Sequence, residues 1–539
     1  MTCRTSTILA GGLIIGSIIG SICVSMPLAA QTSPIGREVS VPRHWQDDEE
    51  FKYSIPEIVA YGKKLFDANW TEQEGAGRPL TKGTGLPLAD PSQPLRGLRA
   101  FNRVSAPDAN SCTGCHNLPY GISGGGGDFV ANVFVLAQRF DFVSFDGKDT
   151  QPTKGAATEK REQSTLQDIG NSRASTGMFG AGYLEMLARQ MTTELQQIRS
   201  SLKHGETKEL IAKGVHFGRI TLTRDGLWDI SKVEGIPRPS LLSTGTSDPP
   251  TLVIRPWHQS GNVVSLREFT NNAMNQHHGI QTTERFGLDT DPDGDGVKNE
   301  MTRADVTAVA VFQATMQTPG RVIPNDPAIE AAVLLGEKTF EKVRCAVCHV
   351  PSLPLEKSGW AFTEPGPYNP PGNLRLGYAK TLSVDLTSPL LPQPRLTPAS
   401  AGSTVIDVPA YTDFKLHDIC EPGDPGEPLN QNFPAWSPMF AKGNRKFLTK
   451  RLWGAANEPP YFHHGLFTTM RQAVLAHDGE ARESREAFQK LTAYEQDALI
   501  EFLKTLQVLP PGTKDLIVDE NFKPKNWPPR SSKTLPSGN

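Results

Sequence analysis

Two short motifs of cysteine and histidine constrain this chain more than any other feature. They read C-T-G-C-H at residues 112–116 and C-A-V-C-H at residues 345–349. In a C-x-x-C-H motif the two thiols can each form a thioether to one edge of a porphyrin, and the histidine that follows is placed to ligate the iron. A single C-x-x-C would equally suit half of a zinc site or a redox dithiol. Two complete copies favour two covalently attached haems c.

This prediction assigns two thioether cysteines and one axial histidine to each haem: Cys112, Cys115 and His116 to the first, and Cys345, Cys348 and His349 to the second. The chain has seven cysteines. Cys3 and Cys23 lie in the N-terminal segment, so Cys420 remains as a single thiol. No activating pair is near Cys420 in the sequence, which indicates a buried thiol rather than a catalytic one.

The N-terminal residues have the pattern of a secretory signal peptide. A short basic start at Arg4 precedes an apolar run at 8–24, and small residues end at Ala30 before Gln31. The pattern predicts export to the periplasm with cleavage after Ala30. The alternative is an uncleaved anchor, but the run barely reaches the roughly 20 apolar residues that a membrane helix needs. We therefore expect a mature protein without a membrane span.

The composition indicates a loop-rich protein of several domains. The chain has 539 residues, and a domain typically takes about 100–200. Glycine and proline are abundant, with 49 and 44 residues, and 37% of the residues are apolar. Bound haem would add apolar surface to this modest core. The formal net charge of -3 gives no indication of a nucleic acid or of an anionic membrane as a partner.

An internal repeat accompanies the two motifs. Y-G-K-K-L-F at 61–66 precedes the first motif, as L-G-E-K-T-F at 335–340 precedes the second. A second pair of similar segments follows the motifs: R-P-W-H-Q-S-G at 255–261 with S-L-R at 265–267, and P-Y-F-H-H-G at 460–465 with T-M-R at 469–471. The repeat predicts two similar haem units in one chain, with electrons passing between them.

We predict a mainly α-helical fold of two packed cytochrome c-like haem domains, with long loops and a small β-hairpin insertion. Apolar periodicity predicts helices at 55–66 and 180–202. We also predict helices at 329–343 and 493–506, a helix at 304–315 that follows the acidic loop described below, and a β-hairpin at 215–230. The predicted boundaries are a signal peptide at 1–30, an N-terminal domain at 31–325 with an insertion at about 153–254, a C-terminal domain at 326–510 and a tail at 511–539.

Residues 289–300 match the calcium-binding loop pattern D-x-D-x-D-G-x5-E in full. The predicted ligands are the side chains of Asp289, Asp291, Asp293 and Glu300, with Asp295 binding through its carbonyl group and Val297 through its carbonyl group or a water. The alternative is an acidic surface turn. A bound calcium ion is expected to be structural and to clamp the joint between the haem domains.

With these motifs, the chain resembles the bacterial di-haem cytochrome c peroxidase superfamily, and within it the di-haem oxidoreductases called thiol-oxidoreductase-like. The resemblance covers nearly the whole chain after residue 30. It rests on the two C-x-x-C-H motifs, on 452–480 with its P-Y-F-H-H-G, and on S-L-R-E-F-T-N-N at 265–272. It implies a peroxidase-like activity with a small electron-donor protein as partner.

The resemblance also implies a second axial ligand for the C-terminal haem. In the peroxidases this ligand is a methionine fourteen residues after the histidine of P-Y-F-H-x-G, and counting from His463 leads to His477. A bis-histidine haem, His349 with His477, is expected to have a lower reduction potential than one with methionine. Met439 and Met470 are alternative ligands, and His417 is a rival ligand or a neighbour of the ligands.

For the N-terminal haem, the resemblance implies a tryptophan between the haems, which Trp257 matches approximately, and a distal acid–base residue. His278, with His277 beside it, lies seventeen residues after Gly261, near the position of the peroxidases' glutamate. A histidine there can move a proton near neutral pH, ligate the iron, or pack on a propionate. Glu185 is a second candidate acid, unless it is a solvent-facing helix carboxylate.

Three functions remain open from the sequence. The first is a periplasmic di-haem oxidoreductase that reduces peroxide at the N-terminal haem, with electrons relayed through the C-terminal haem from a small cytochrome c or cupredoxin. The second is a non-catalytic di-haem electron-transfer cytochrome with both irons six-coordinate. The third is an enzyme that oxidises a thiol, a protein side chain or a small organic molecule. An open coordination position on one iron would separate the first function from the second.

Overall fold

The computed structural model describes residues 35–76, 109–127, 133–136 and 170–529, apart from 246, 292–294, 370–373, 375–376, 378, 425, 428–429, 434–438 and 440–441. The predicted signal peptide lies outside the described residues. All the elements named below belong to the unit that begins at Val39.

Helices form the frame of the described chain. They are α1 (Ile55–Asp67), α2 (Ala181–Ser200), α3 (Leu266–Ala273), α4 (Thr283–Phe286), α5 (Arg303–Thr315), α6 (Pro327–Lys342), α7 (Met470–Ala476), α8 (Arg482–Gln489) and α9 (Ala493–Thr505). The five helices predicted from the sequence are present, with ends within two residues of the prediction. None of the described helices is both long enough and apolar enough to cross a membrane.

Short strands accompany the helices. They are β1 (Val133–Leu136), β2 (Gly170–Arg173), β3 (Glu206–Ala212), β4 (Val215–Leu222), β5 (Trp228–Asp229), β6 (Gly320–Val322), β7 (Leu353–Glu356), β8 (Ala361–Glu364), β9 (Leu382–Asp385), β10 (Val405–Val408), β11 (Leu416–Asp418), β12 (Lys446–Leu448), β13 (Leu506–Gln507) and β14 (Ile517–Val518). Within the described residues these strands form six small sheets. The protein therefore mixes helices and small sheets, and the prediction of a mainly α-helical fold is confirmed only in part.

The predicted hairpin is present and belongs to a larger sheet. β4 pairs with β5 in antiparallel register, with Thr221 opposite Asp229. The sequence prediction missed β3, which pairs along the other edge of β4. Two-residue periodicity is weak in β3 because Lys208 and Glu209 follow one another at its centre.

Two pairs of packed helices correspond to the internal repeat in the sequence. α1 packs on α5, and α6 packs on α9. A Cβ atom on Gly62 would lie 2.0 Å from the carbonyl oxygen of Ala308, and one on Gly336 would lie 2.0 Å from that of Ala498. Each pair is therefore in backbone contact at a glycine of the repeated segment. The same helix crossing occurs twice in one chain.

Residues of the predicted tail extend the C-terminal half. β14 runs parallel to β6, and β13 pairs with the other edge of β6 in antiparallel fashion. The indole Nε1 of Trp527 donates a hydrogen bond of 2.9 Å to Glu337 on α6. The part of the tail between 511 and 529 thus packs against the helix that leads to the second C-x-x-C-H motif.

Candidate functional site

A cavity of about 410 Å³ brings the two C-x-x-C-H motifs together. Its lining includes the cysteines and the histidine of both motifs. Four other predicted site residues also line it: Trp257, His277, His278 and His477. The predicted haem residues, scattered over more than 350 positions of the chain, thus share one cavity.

Both motifs have the same local conformation. Each begins with a short 3₁₀ turn, at Cys112–Gly114 and Cys345–Val347. The amide of His116 donates to the carbonyl oxygen of Cys112, and that of His349 to Cys345, both at 3.0 Å. All four motif cysteines are free thiols, so both pairs are available for thioether bonds.

The two motif histidines are held in the orientation that an iron ligand needs. Nδ1 of His116 donates to the carbonyl oxygen of Gly125 at 2.9 Å, and Nδ1 of His349 donates to that of Tyr411 at 3.2 Å. These bonds leave Nε2 of each ring for a metal. Burial lowers the pKa of both histidines, to about 4 for His349. Both rings are therefore neutral at pH 7, the form that binds a metal.

The repeated segments that precede the motifs contact these histidines. The ring of Phe66 lies 5.9 Å from that of His116, at an interplanar angle of 47°. The ring of Phe340 lies 6.4 Å from that of His349, at 52°. Phe66 and Phe340 are the last residues of the two repeated segments, so the helix that precedes each motif supports the histidine of that motif in the same way.

His477 lies opposite His349 across the cavity. The ring centroids are 6.4 Å apart, and Nδ1 of His477 donates to the carbonyl oxygen of Ala473 at 2.7 Å. Two imidazoles that bind one iron through Nε2 need centroids about 6.3 Å apart, from Fe–N bonds of about 2 Å and roughly 1.15 Å between nitrogen and ring centre. The two histidines therefore fit a bis-histidine haem. Of the alternative ligands, Met470 also lines the cavity, whereas Met439 is 40% exposed.

His417 has no ring nitrogen left for the iron. Its Nε2 bonds to Asp413 at 2.8 Å and its Nδ1 to Glu480 at 2.7 Å. Burial alone would lower the pKa of His417, but hydrogen bonds to Asp413, Cys348 and Glu480 raise it to about 11. His417 is thus an imidazolium beside the second motif, and the geometry favours its role as a neighbour of the ligands.

The segments after the motifs repeat in backbone conformation as well as in sequence. Trp257 bridges to Val263, and Tyr461 bridges to Phe467, in the same antiparallel way. The following residues, His258 and Phe462, both have positive φ, at 65° and 71°. Ser265 and Thr469 then cap α3 and α7, each accepting an amide bond from the residue three positions on. Each residue of one segment therefore has a structural counterpart 204 positions away in the other.

This correspondence places Ala273 at the position of His477. Both residues line the cavity, and α3 ends at Ala273 as α7 ends just before His477. A methyl group has no atom that can bind iron. The N-terminal half therefore has a methyl group where the C-terminal half has an imidazole.

The chain continues from α3 into a π-helical turn, Met274–His278, that brings both predicted histidines to the cavity. Nδ1 of His278 donates to the carbonyl oxygen of Ala109 at 2.8 Å, and its Nε2 lies 3.5 Å from Sγ of Cys112. Burial lowers the pKa of His278 to about 4. His277 is half-buried beside it. π-helical turns are frequent at functional sites.

Glu185 lies behind Trp257 and is fully buried. Its Oε2 accepts the indole Nε1–H of Trp257 at 3.4 Å and the amide of Leu266 at 2.7 Å, while its Oε1 accepts from Arg189 at 2.6 Å. It is therefore not a solvent-facing carboxylate. Trp257 belongs to the cavity lining and Glu185 does not, so Glu185 orients the indole and the start of α3.

Arg451 is a site residue that the sequence did not reveal. It lines the cavity, is 7% exposed, and its Nη2 has no hydrogen-bond partner among the described residues. A buried guanidinium nitrogen without a partner is unfavourable. A haem carries propionate carboxylates, which pair well with arginine. The cavity thus offers a cation to a haem as well as thiols and imidazoles, and its residues fit this cofactor.

The four-glycine segment at 124–127 approaches other backbone closely, as a loop near a cofactor would. A Cβ atom on Gly127 would lie 2.1 Å from the carbonyl oxygen of Pro459, and one on Gly126 would lie 2.4 Å from the side chain of Glu458. The carbonyl group of Gly125 holds His116. The loop therefore joins His116 to the segment that leads to P-Y-F-H-H-G.

The predicted calcium loop is described in part, because Asp293 lies outside the described residues. The carboxylate of Asp291 accepts the amides of Asp295 and Gly296 at 3.2 and 3.1 Å. Asp289 pairs with Asn299, and Val297 donates its amide to Asp295.

Glu300, the last predicted ligand, is buried and accepts the amide of Gln281 at 2.6 Å. In the described part of the loop, no three carboxylates converge to within 4.8 Å of one another. Burial raises the pKa of Asp295, and the charges of Asp291 and Glu72 add to this effect. Calcium binding by this loop stays a prediction.

No protein-family model matches the chain, and no curated protein matches it in sequence. Among solved structures, the chain is similar to hydrazine synthase from Kuenenia stuttgartiensis, with 15% identity and a TM-score of 0.25, over 59% of this chain and 87% of that one. It is also similar to a MauG-like protein associated with microbial copper homeostasis, with 18% identity and a TM-score of 0.22, over 47% of this chain and 70% of that one. Similarity at this level carries no inference about function, which therefore has to come from the site.

Proposed function

We propose that this protein is an exported di-haem c-type oxidoreductase of the peroxidase type. Cys112 and Cys115 would attach one haem and Cys345 and Cys348 the other, with two cytochrome c-like domains built on the two helix pairs. When bound, the haems supply one-electron transfer and, at an iron with an open position, binding and reduction of peroxide.

The observation that carries this proposal is the difference between Ala273 and His477. The two residues occupy equivalent positions in the repeat, and His477 lies 6.4 Å from His349 between ring centroids. The C-terminal site therefore has the pair of ligands of an electron-transfer haem. The N-terminal site has His116 and an alanine methyl group instead. Such an asymmetric pair suits a chain in which one site receives electrons and the other binds the substrate.

The residues around the N-terminal site support proton transfer and electron transfer. His277 and His278 line the cavity and would move a proton between the two peroxide oxygens. Trp257 is oriented by Glu185, lines the same cavity and would carry the electron. A small electron donor, a cytochrome c or a cupredoxin, would dock at the C-terminal half. A structural calcium ion at 289–300 and a periplasmic location complete the proposal.

A second candidate function rests on His277. This residue is one helical turn after Ala273 and half-buried in the cavity lining. If its ring binds the N-terminal iron, both sites are six-coordinate, and the protein is a di-haem electron carrier without a substrate.

Low-temperature EPR of the oxidised holoprotein separates the two functions. We expect one high-spin ferric signal that peroxide removes, beside one low-spin signal from the C-terminal site. His277→Ala should leave the high-spin signal in place. Two low-spin signals that peroxide does not change, with a high-spin signal only in His277→Ala, would establish the electron carrier instead. Oxidation of a thiol or of another small molecule would then be screened only for a protein with an open iron.

A further inference from the structure

Three aromatic side chains form a continuous stack beside the N-terminal helix pair. The indole of Trp45 lies between the rings of Tyr53 and Tyr61, with centroid distances of 4.3 and 4.0 Å and interplanar angles of 8° and 15°. Trp45 is 7% exposed, whereas Tyr53 is half-buried. Tyrosine and tryptophan are the side chains that most readily give up one electron, so their contact makes a path for charge.

The inner end of the stack has a built-in proton acceptor. The hydroxyl of Tyr61 donates to Oδ1 of Asp305 at 2.8 Å, and Asp305 is fully buried. Oδ2 of Asp305 pairs with Nδ1 of His44 at 2.7 Å. Burial raises the pKa of Tyr61, and the charge of Asp305 raises it further. Tyr61 therefore keeps its proton at pH 7, next to a carboxylate that can take it.

The fold does not require this arrangement, because the C-terminal half lacks it. The helix crossings at Gly62 and Gly336 are equivalent, so the counterpart of Tyr61 is Leu335. Asp305 and its counterpart Glu495 are both the third residue of a capping box. Glu495, however, pairs with Lys342 at the surface, at 2.8 Å. At these equivalent helix positions, the tyrosine and its buried carboxylate occur in the half that has alanine at the position of His477.

The aromatic cluster is connected to the first C-x-x-C-H motif by two routes. His44 stacks on Trp70 at 6.1 Å, and the amide of Trp70 donates to the carbonyl oxygen of Asn110, two residues before Cys112. Along α1, Tyr61 precedes Phe66 by five residues, about 7.5 Å of helix rise. Phe66 contacts His116. The stack therefore leads from the protein surface to the N-terminal haem site.

We propose that Tyr61 is a redox relay residue that works with Asp305 as its proton acceptor. In this proposal an external one-electron donor at Tyr53 sends electrons through Trp45 and Tyr61 to the N-terminal site. This would be a second electron entry, separate from the C-terminal haem, and it rests on the proposed function.

The chemistry balances with peroxide as the oxidant. Tyr61 loses one electron to the N-terminal site and its hydroxyl proton to Oδ1 of Asp305, which leaves a neutral tyrosyl radical. The external donor returns one electron through the stack, and Asp305 returns the proton. Two such rounds supply the two electrons that, with two protons from solvent, reduce one peroxide to two waters.

The test is rapid-freeze EPR of the ferric holoprotein mixed with hydrogen peroxide, with the Soret spectrum recorded in parallel. We expect a radical signal whose hyperfine pattern changes when the protein is grown with ring-deuterated tyrosine. Tyr61→Phe should reduce this signal at least tenfold. The control is Tyr183→Phe, because Tyr183 is fully buried but its hydroxyl bonds to the carbonyl groups of Leu386 and Leu396 and not to a carboxylate. That variant should keep the signal.

A second measurement does not depend on the reaction with peroxide. Flash-quench oxidation with a soluble ruthenium photo-oxidant should produce the same radical in the wild type and not in Tyr61→Phe. Asp305→Asn should slow its formation and make the rate depend on buffer base.

The two measurements separate the two proposals. If peroxide shifts the Soret band but Tyr61→Phe keeps the radical, the relay is refuted and the peroxidase proposal stands. If peroxide leaves the Soret band unchanged, the peroxidase proposal fails, and a flash-quench radical that survives Tyr61→Phe refutes the relay as well.

Discussion

The imidazole rings of His349 and His477 lie with centroids 6.4 Å apart at an interplanar angle of 67°, although the two residues are 128 positions apart in the chain. Each ring donates its Nδ1–H to a backbone carbonyl group, which leaves both Nε2 atoms available to bind a metal. Two separate backbone segments, one at Tyr411 and one at Ala473, thus hold the two imidazole rings at this distance from each other. This relationship gives the clearest prediction for the C-terminal site.

His477→Met should raise the reduction potential of one haem by on the order of 100 mV, because thioether sulfur stabilises ferrous iron better than imidazole. The other haem should keep its potential. A spectroelectrochemical titration of the holoprotein measures both values. The matched control is His464→Gln, in the same P-Y-F-H-H-G segment. An equal shift in the control would mean that the segment as a whole, not the ligand, sets the potential.

Removal of both thiols from one motif should halve the covalently bound haem. The variants are Cys112→Ala/Cys115→Ala and Cys345→Ala/Cys348→Ala, and the measurement is the mass of the denatured chain. Cys420→Ala is the control, because this thiol is buried and bonds only weakly to the carbonyl oxygen of Arg445, at 3.7 Å. It should keep both haems. A full haem complement in either double variant would contradict covalent attachment at that motif.

The helix crossings predict a stability effect that is shared by the two halves. Gly62→Ala or Gly336→Ala would place a methyl group 2.0 Å from a carbonyl oxygen of the facing helix. Overpacking of this kind costs about 1–3 kcal/mol, a fall in melting temperature on the order of 5 °C. Thermal unfolding followed by circular dichroism measures it.

The control for the crossings is Ala331→Gly on α6, an exposed position. It should cost only the difference in helix propensity, about 1 kcal/mol. A melting temperature of Gly62→Ala equal to that of the wild type would mean that the two helices can separate freely, and the equivalence of the halves would lose its support.

Much of this arrangement could be predicted from the sequence because local patterns carry it. The helices α1, α5 and α9 each begin at a capping box, and α1 also has strong apolar periodicity. The two C-x-x-C-H motifs are contiguous, and the resemblance to the di-haem peroxidases implied His477 at a fixed distance from His463. The equivalence of Ala273 and His477 could also be predicted from the sequence. Ala273 follows Ser265 by eight residues, as His477 follows Thr469.

Other features depend on contacts between distant segments, which no local pattern encodes. The carboxylate partners of His417 lie four and 63 residues away. Glu185 sits on a helix whose polar residues suggest solvent, yet that helix is buried from 181 to 189. Strands such as β7 and β10 have four residues each, too few for periodicity to distinguish them from loops.

The last prediction concerns the imidazolium of His417. Burial lowers the pKa of His417, but hydrogen bonds to Asp413, Cys348 and Glu480 raise it to about 11. The pKa of a histidine in an unfolded chain is about 6.5. The folded state therefore holds this proton more tightly, so the stabilisation is complete below pH 6.5 and is lost as the pH rises towards 11. We expect the wild type to lose stability across this range more steeply than His417→Asn.

Urea unfolding midpoints at pH 6, 8 and 10 measure this difference. Lysines and tyrosines also titrate above pH 9, but they are common to both proteins, so the difference between the two slopes isolates His417. The control is His216→Asn, because His216 is exposed on β4, and its slope should match that of the wild type. Parallel slopes for His417→Asn and the wild type would mean that His417 is not charged in the folded protein. Asp413 and Glu480 would then repel each other across a neutral ring, and the contact between β11 and the segment after His477 would have to be stabilised by something else.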